Sequence, residues 1–251
     1  MKYVGSKNRI AKYLAPIIQG YIDREQPALY WEPFVGGANM IDKIRHPNKV
    51  GTDRHPELIA LLKAMQNKDL AGTIPVTITE AEYNRVNKYR GNYPMHYVGL
   101  VGFCATFGAK WFGGYARGTK ADGTPRDMPA EAIRNLKLQA ATVEFQETLF
   151  EPSYYDEVDI FGLKRMVIYC DPPYKTGTQY DGERFNNAAF EIWARKAARQ
   201  HTVLISENYM DPAGFELLWE MQHKSSLGKD AHVTKTERLY KAKPWEGKDE
   251  S

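Results

Sequence analysis

Along the chain, short continuous apolar runs alternate with stretches in which apolar residues recur every three or four positions. Met166-Val-Ile-Tyr-Cys170 is the clearest of the runs, of strand length and with β-branched and aromatic members. It predicts a strand buried on both faces of a parallel sheet. The run stops at Asp171-Pro172-Pro173-Tyr174, because each proline fixes φ and lacks the N–H a ladder needs. Further strands are predicted before Glu32, over Lys49-Val-Gly-Thr-Asp53 and over Thr202–Glu207. Two late strands follow, Phe215–Met221 and Thr236–Lys241, joined by the polar stretch Ser225 to Asp230. Helical spacing is read at Ile10, Tyr13, Leu14 and Ile17, with Pro16 arguing for a kink or an early stop. It recurs over His55–Met65, Pro129–Leu138 and Ala188–Ala198, and Thr79 with Glu82 makes a capping box.

The strand–helix rhythm is lost from about Asp69 to Thr142 and resumes with Thr142-Val-Glu-Phe-Gln-Glu. This predicts an α/β protein with a smaller insertion, residues 1–68 and 143–251 forming one domain and 69–142 the other. A chain of 251 residues can bury a core of that size. Its 43% hydrophobic and 26% charged residues are ordinary for a globular protein. No apolar run approaches the roughly 20 residues of a membrane span, and no apolar core follows the first basic residues as in a signal peptide. Cys104 and Cys170, far apart and in apolar contexts, are expected to be buried thiols of an intracellular protein.

The net charge of +3 is small, but its distribution is uneven. Residues 81–140 hold nine basic and four acidic side chains, a net +5, which leaves −2 for the remainder. A polyanion would therefore meet the middle of the chain. There, Lys110-Trp111 to Arg126 interleaves glycines, rings and bases, including Tyr115, Arg117 and Lys120. That composition suits phosphate contacts and base stacking, and also a plain surface hairpin with a small aromatic core.

Candidate chemistry gathers at the strand ends. Asp171-Pro-Pro-Tyr174 offers a carboxylate, backbone carbonyls and an aromatic face on a rigid platform at the carboxyl edge of a sheet, where open α/β folds bind ligands. Two acceptors there could take both N–H bonds of a conjugated amino group, whose lone pair is otherwise delocalised. The same tetrapeptide also reads as an ordinary post-strand turn. Glu32-Pro33-Phe34-Val-Gly36-Gly37-Ala-Asn39 reads as a strand, a glycine turn and the start of a helix. Such a turn lets a ligand approach the backbone, or serves packing alone. Asp53 is placed either to bind ribose hydroxyls or to cap the next helix. Lys7, beside Gly5-Ser6, reads by itself as a solvated turn residue.

Taken in order, Tyr3-Val-Gly-Ser-Lys7, Glu32-Pro-Phe34-Val-Gly36-Gly37, Thr52-Asp53 and Asp171-Pro-Pro-Tyr174 resemble the motifs of Dam-like (D12) DNA adenine-N6 methyltransferases. The permutation is that of group α, and the size is similar to that of solitary phage enzymes. The chain departs from many relatives in reading Val35-Gly-Gly-Ala where they carry glycine-alanine-glycine. The resemblance implies a Rossmann-like class I methyltransferase sheet with an inserted target-recognition domain. It also implies S-adenosylmethionine as cofactor, no metal, and DNA as partner. The cofactor set implied is Tyr3, Lys7, Glu32, Pro33, Phe34, Gly36, Gly37, Asn39 and Asp53, with Asp171. The catalytic set is Asp171, Pro172, Pro173 and Tyr174, acting on a flipped-out adenine. DNA contacts are expected at Lys110, Trp111, Tyr115, Arg117, Lys120 and Arg126. Alternatives are a cytosine-N4 or RNA adenine methyltransferase, and a DNA-binding protein without catalysis.

Overall fold

A computed structural model describes residues 1, 3, 5–174, 185–224 and 234–246. Val4 of the amino-terminal motif, the Ser225 to Asp230 link and the last five residues of the charged tail lie outside the described residues. Seven strands are described: β1 (Leu29–Glu32), β2 (Lys49–Asp53), β3 (Thr148–Pro152), β4 (Met166–Cys170), β5 (Thr202–Glu207), β6 (Phe215–Lys224) and β7 (Thr234–Ala242). Eight α-helices are described with them: α1 (Ala11–Glu25), α2 (Pro56–Gln66), α3 (Lys68–Thr73), α4 (Glu80–Lys88), α5 (Met95–Cys104), α6 (Met128–Ala140), α7 (Val143–Gln146) and α8 (Asn187–Ala197). The strands follow the order β3-β2-β1-β4-β5-β7-β6 in one mixed, mostly parallel sheet. That order is compatible with a Rossmann-like α/β fold, and its direction reverses between β1 and β4. By packing, the chain separates into two compact units, Met1–Pro16 with Val35–Tyr154 and Ile17–Phe34 with Tyr155–Ser251.

In the second unit every residue of β4 and β5 is buried, which is why β4 reads as an unbroken apolar run, while β5 buries Thr202, Ser206 and Glu207 beside its apolar residues. β4 pairs in parallel with β1 through Trp31↔Ile168 and with β5 through Cys170↔Ile205. β7 runs antiparallel to β5, with Ser206 opposite Leu239 and Glu207 opposite Arg238. β6 completes the hairpin, with an irregularity between Leu217 and Trp219.

A buried histidine ties the start of β4 to the preceding loop. His201 Nδ1 accepts from the Met166 N–H (3.2 Å), and Nε2 donates to the Ile160 carbonyl (2.9 Å). The bond to Nδ1 needs the neutral ring, and burial lowers the ring's pKa from the ordinary value, the Ile160 carbonyl opposing this. Above about pH 6.5 the folded and unfolded chains both hold neutral His201 and nothing is lost. As the pH falls below that value the unfolded chain takes the proton first, so stability declines until folded His201 also titrates. Thermal midpoints between pH 7.5 and 5.5 should therefore fall more in the wild type than in His201→Asn. Equal declines would relieve His201 of that role.

In the first unit β2 and β3 form a parallel pair, in register from Lys49↔Thr148 to Asp53↔Pro152. The insertion 69–142 lies wholly in this unit and contributes α4, α5 and α6. α5 packs on α2 so closely that a Cβ on Gly99 would sit 2.2 Å from the Glu57 carbonyl oxygen, so only glycine fits there. Buried Lys49 is satisfied by the carbonyls of Ile44 (3.0 Å) and Glu144 (2.6 Å).

Three local expectations are corrected. α1 continues past Pro16 to Glu25, because Pro16 lies on the exposed side while Ala11, Leu14, Ile18 and Ile22 form a buried stripe. The glycine turn at Gly36-Gly37 leads only to a 3-10 turn, Ile41–Lys43, and not to an α-helix. Ala38 takes a positive φ of 56°, Ile44 is already extended, and Pro47 blocks any continuation. Thr142-Val-Glu-Phe-Gln-Glu holds a single helical turn, with the Thr142 hydroxyl capping Phe145 N–H at 3.3 Å. The strand itself begins at Thr148.

Candidate active site

The second unit carries the Asp171–Tyr174 platform. β4 is buried to its last residue, and from there Asp171 is half-buried, with Oδ1 shielded from solvent, and Pro172 is buried. The half-buried Tyr174 donates its hydroxyl to Glu237 Oε2 of β7 at 2.8 Å. Burial, then the Asp171 and Glu237 carboxylates, push that hydroxyl well above its ordinary pKa, so it stays a donor. Glu32, at the end of β1, is buried and accepts from the Tyr30 hydroxyl at 2.6 Å. Tyr169 shares a hydrogen bond with Ser206 at 2.7 Å. Burial first, then Asp171, Glu32 and Glu237, hold the Tyr169 hydroxyl well above its ordinary pKa.

Phe34 lies in an aromatic cluster, stacked on Tyr155 (5.4 Å between ring centres) and edge-on to Phe185 (5.7 Å) and Phe190 (5.6 Å). Pro33 sits in the turn between Glu32 and Phe34. Sequence reasoning missed Tyr155, Phe190 and Glu237. Phe190 falls on an ordinary helical stripe, and nothing in the chain order connects Glu237 with Tyr174.

The first unit carries the glycine turn and Asp53. Asp53 Oδ2 accepts from Gly36 N–H (3.1 Å) and Oδ1 from His55 N–H (3.0 Å). It thus ties the end of β2 to the glycine turn and precedes α2 without being its N-cap residue. A carboxylate offers about four lone-pair sites, so two remain for ligand hydroxyls. Burial pushes the Asp53 pKa up, and the two backbone N–H groups oppose this.

Gly36 has φ of 49°, and a Cβ there would come 2.8 Å from the Tyr3 ring. A Cβ on Gly37 would come 2.9 Å from Tyr3 Cβ. The glycines are therefore needed for the close approach of Tyr3. Lys7 is buried, only 5% exposed, and its ammonium donates to the Gly5 carbonyl (3.3 Å). Asn39 donates to the Met1 carbonyl (3.0 Å), and Gln139 donates to the Gly37 (2.9 Å) and Ala38 (2.8 Å) carbonyls. Gln139 was missed, although a polar residue on the apolar face of α6 was its signal.

Four of the residues expected to contact DNA make internal contacts. Trp111 packs against His55 (4.2 Å) and Phe103 (4.8 Å), over Gly102. Tyr115 donates to the Ile78 carbonyl (2.8 Å), Arg117 pairs with Glu80, and Arg126 pairs with Glu131 (2.6 Å). Lys110 and Lys120 are exposed. An open depression of about 620 Å³ is lined by Tyr115, Arg117, Thr119, Arg126 and Asp127 among others.

Among the described residues no three His, Cys, Asp or Glu side chains are grouped to hold a metal, and no helix is long and apolar enough to cross a membrane. Both cysteines are free and buried, and burial pushes the Cys104 thiol up to about 12. No protein-family model matches the chain, and no curated protein matches it significantly.

If Asp53 holds ligand hydroxyls, Asp53→Ala should weaken S-adenosylmethionine binding roughly 10- to 150-fold, the range for hydrogen bonds to a charged group. It should also lower the thermal midpoint, since the Gly36 and His55 N–H groups lose their acceptor. Calorimetry showing a lower midpoint with unchanged affinity would leave Asp53 as a turn tie alone.

Proposed function

We propose that the chain is an S-adenosylmethionine-dependent DNA methyltransferase acting on N6 of an adenine flipped out of the duplex. The observation that carries the reading is the Asp171-Pro-Pro-Tyr174 platform at the end of fully buried β4, with Tyr174 anchored by Glu237. The strand order and its reversal beside β4 support a ligand site at that edge. The motif order that resembles Dam-like enzymes supports the adenine assignment.

The residues fit the cofactor by chemistry. In the first unit Asp53 has acceptor capacity left for ribose hydroxyls, and in the second unit Glu32 and Asp171, at the ends of β1 and β4, suit a positive charge. When bound, S-adenosylmethionine supplies an electrophilic methyl on a sulfonium that leaves as a neutral thioether. The protein's part is positioning and electrostatics. Asp171 and the Pro172 carbonyl accept the two N–H bonds of the amino group, drawing its lone pair out of conjugation. Tyr174 holds the base by stacking, worth ~1–3 kcal/mol. Asp171 acts as a hydrogen-bond acceptor, and the departing N6 proton, which becomes acidic only as the new C–N bond forms, passes through it to solvent.

Incubation with methyl-labelled cofactor and a mixture of duplex DNA, single-stranded DNA and RNA tests the proposal. Label in DNA adenine is the expected result. Label in cytosine or RNA would shift the substrate class, and DNA binding without any label would favour the non-catalytic alternative.

A further inference from the structure

We infer that Glu237 is a positioning residue for the proposed transfer, holding the Tyr174 ring where the flipped base stacks; the inference rests on the methyltransferase reading of the site. The two prolines before Tyr174 stiffen the backbone but leave the ring its own side-chain torsions. A hydrogen bond at the ring tip fixes the direction in which the ring points, and Tyr174 Oη donates to Glu237 Oε2 at 2.8 Å. Because the acceptor is a carboxylate, the bond is charge-assisted, roughly twice as strong as a neutral one. A contact at the tip fixes where the long axis of the ring points, while its faces take no part in the bond.

The acceptor stands on a rigid element. Glu237 lies within β7, opposite Met221 of β6, and its neighbours Arg238 and Leu239 pair with Glu207 and Ser206 of β5. β5 in turn pairs with β4 as far as Cys170, the residue before the platform. The hydrogen bond therefore joins the platform to the second strand beyond it, independently of the polypeptide link. Groups that must be held within about half an ångström are best supported by such fixed partners.

A purely structural role would make Glu237 a tie between β7 and the segment after β4. Such a role would change stability and leave turnover alone. The positioning role makes a different demand: removing the acceptor should slow the transfer step while cofactor affinity stays as it was.

The full chain is compared with Glu237→Ala, Glu237→Gln, Tyr174→Phe and the Glu237→Ala/Tyr174→Phe double variant. The readouts are kcat and KM for methyl transfer to duplex DNA, cofactor dissociation constant and thermal midpoint. Glu237→Ala and Tyr174→Phe are each expected to lower kcat roughly 10- to 150-fold, the range for a hydrogen bond to a charged group. The double variant should be no slower than the slower single one, because both remove the same bond. Glu237→Gln keeps an acceptor and should recover most of the loss. If Glu237→Ala fails to fold, Glu237→Leu, of similar size and without an acceptor, takes its place in the cycle with Tyr174→Phe. Wild-type kcat in folded Glu237→Ala, or fully additive losses, would overturn the role of Glu237 and leave the methyltransferase reading standing. A wild-type protein that methylates no nucleic acid would overturn that reading, and the role of Glu237 with it.

Discussion

Asp171→Ala is expected to abolish methyl transfer in a protein that still folds. The side chain supplies one of only two acceptors for the amino group, and the Pro172 carbonyl alone cannot engage both N–H bonds. Removing a single preorganised hydrogen-bonding group from a transition state costs about 10²–10³ in rate, and here the remaining acceptor is left without its counterpart. The fold should survive, because Asp171 follows β4 and the five buried residues of that strand are untouched. Single-turnover transfer beside circular dichroism checks the main effect. Near-normal turnover by a folded Asp171→Ala protein would remove the core of the account.

The second large effect is expected in the insertion. Replacing Lys110, Arg117 and Lys120 together should weaken DNA binding and flatten its salt dependence, with cofactor affinity unchanged. If each contacts one phosphate, the slope of log affinity against log salt should fall in magnitude by about 0.9 per residue, about 2.7 in all. The charge excess of residues 81–140 motivates this, and the structure refines it. Lys110 and Lys120 are exposed, whereas Arg117 pairs with Glu80. Arg117 would exchange that carboxylate for a phosphate, so its share of the slope should be recovered more fully in a Glu80→Gln background. Binding across a salt series, with and without a cognate site, also separates phosphate contacts, which affect all sequences alike, from base contacts. An unchanged slope would mean that DNA is held elsewhere.

The legible parts of the fold were those where one local pattern decided the outcome. The unbroken apolar run Met166–Cys170 and the segment Thr202–Glu207, both read as strands, are strands buried throughout. The Thr79 hydroxyl does cap its helix, accepting from Glu82 N–H at 3.2 Å. Local pattern failed where tertiary context outweighed it. Pro16 argued for a kink or an early stop, and the helix does not stop there: four buried apolar side chains on the opposite face hold it together. The glycine turn was read as opening a helix, and too few residues separate it from Pro47.

The candidate site divides in the same way. Asp171, Asp53 and the glycines stand at strand ends that the pattern could place. Their partners come from far away in the chain, as with Tyr3 on Gly36, Gln139 on Gly37, and Glu237 on Tyr174. In the insertion, composition showed which residue types are present but not which way they face. Trp111 reads like a stacking residue, yet it packs against His55 and Phe103.

The central claim is that Asp171–Tyr174 presents an adenine amino group for methylation. Its most direct measurement is mass spectrometry of the deoxynucleosides released from unmethylated duplex DNA after incubation with S-adenosylmethionine and the wild-type or Asp171→Ala protein. The account expects N6-methyldeoxyadenosine with the wild type and none with Asp171→Ala. Unmodified deoxyadenosine with a folded wild type that binds both DNA and cofactor would contradict it.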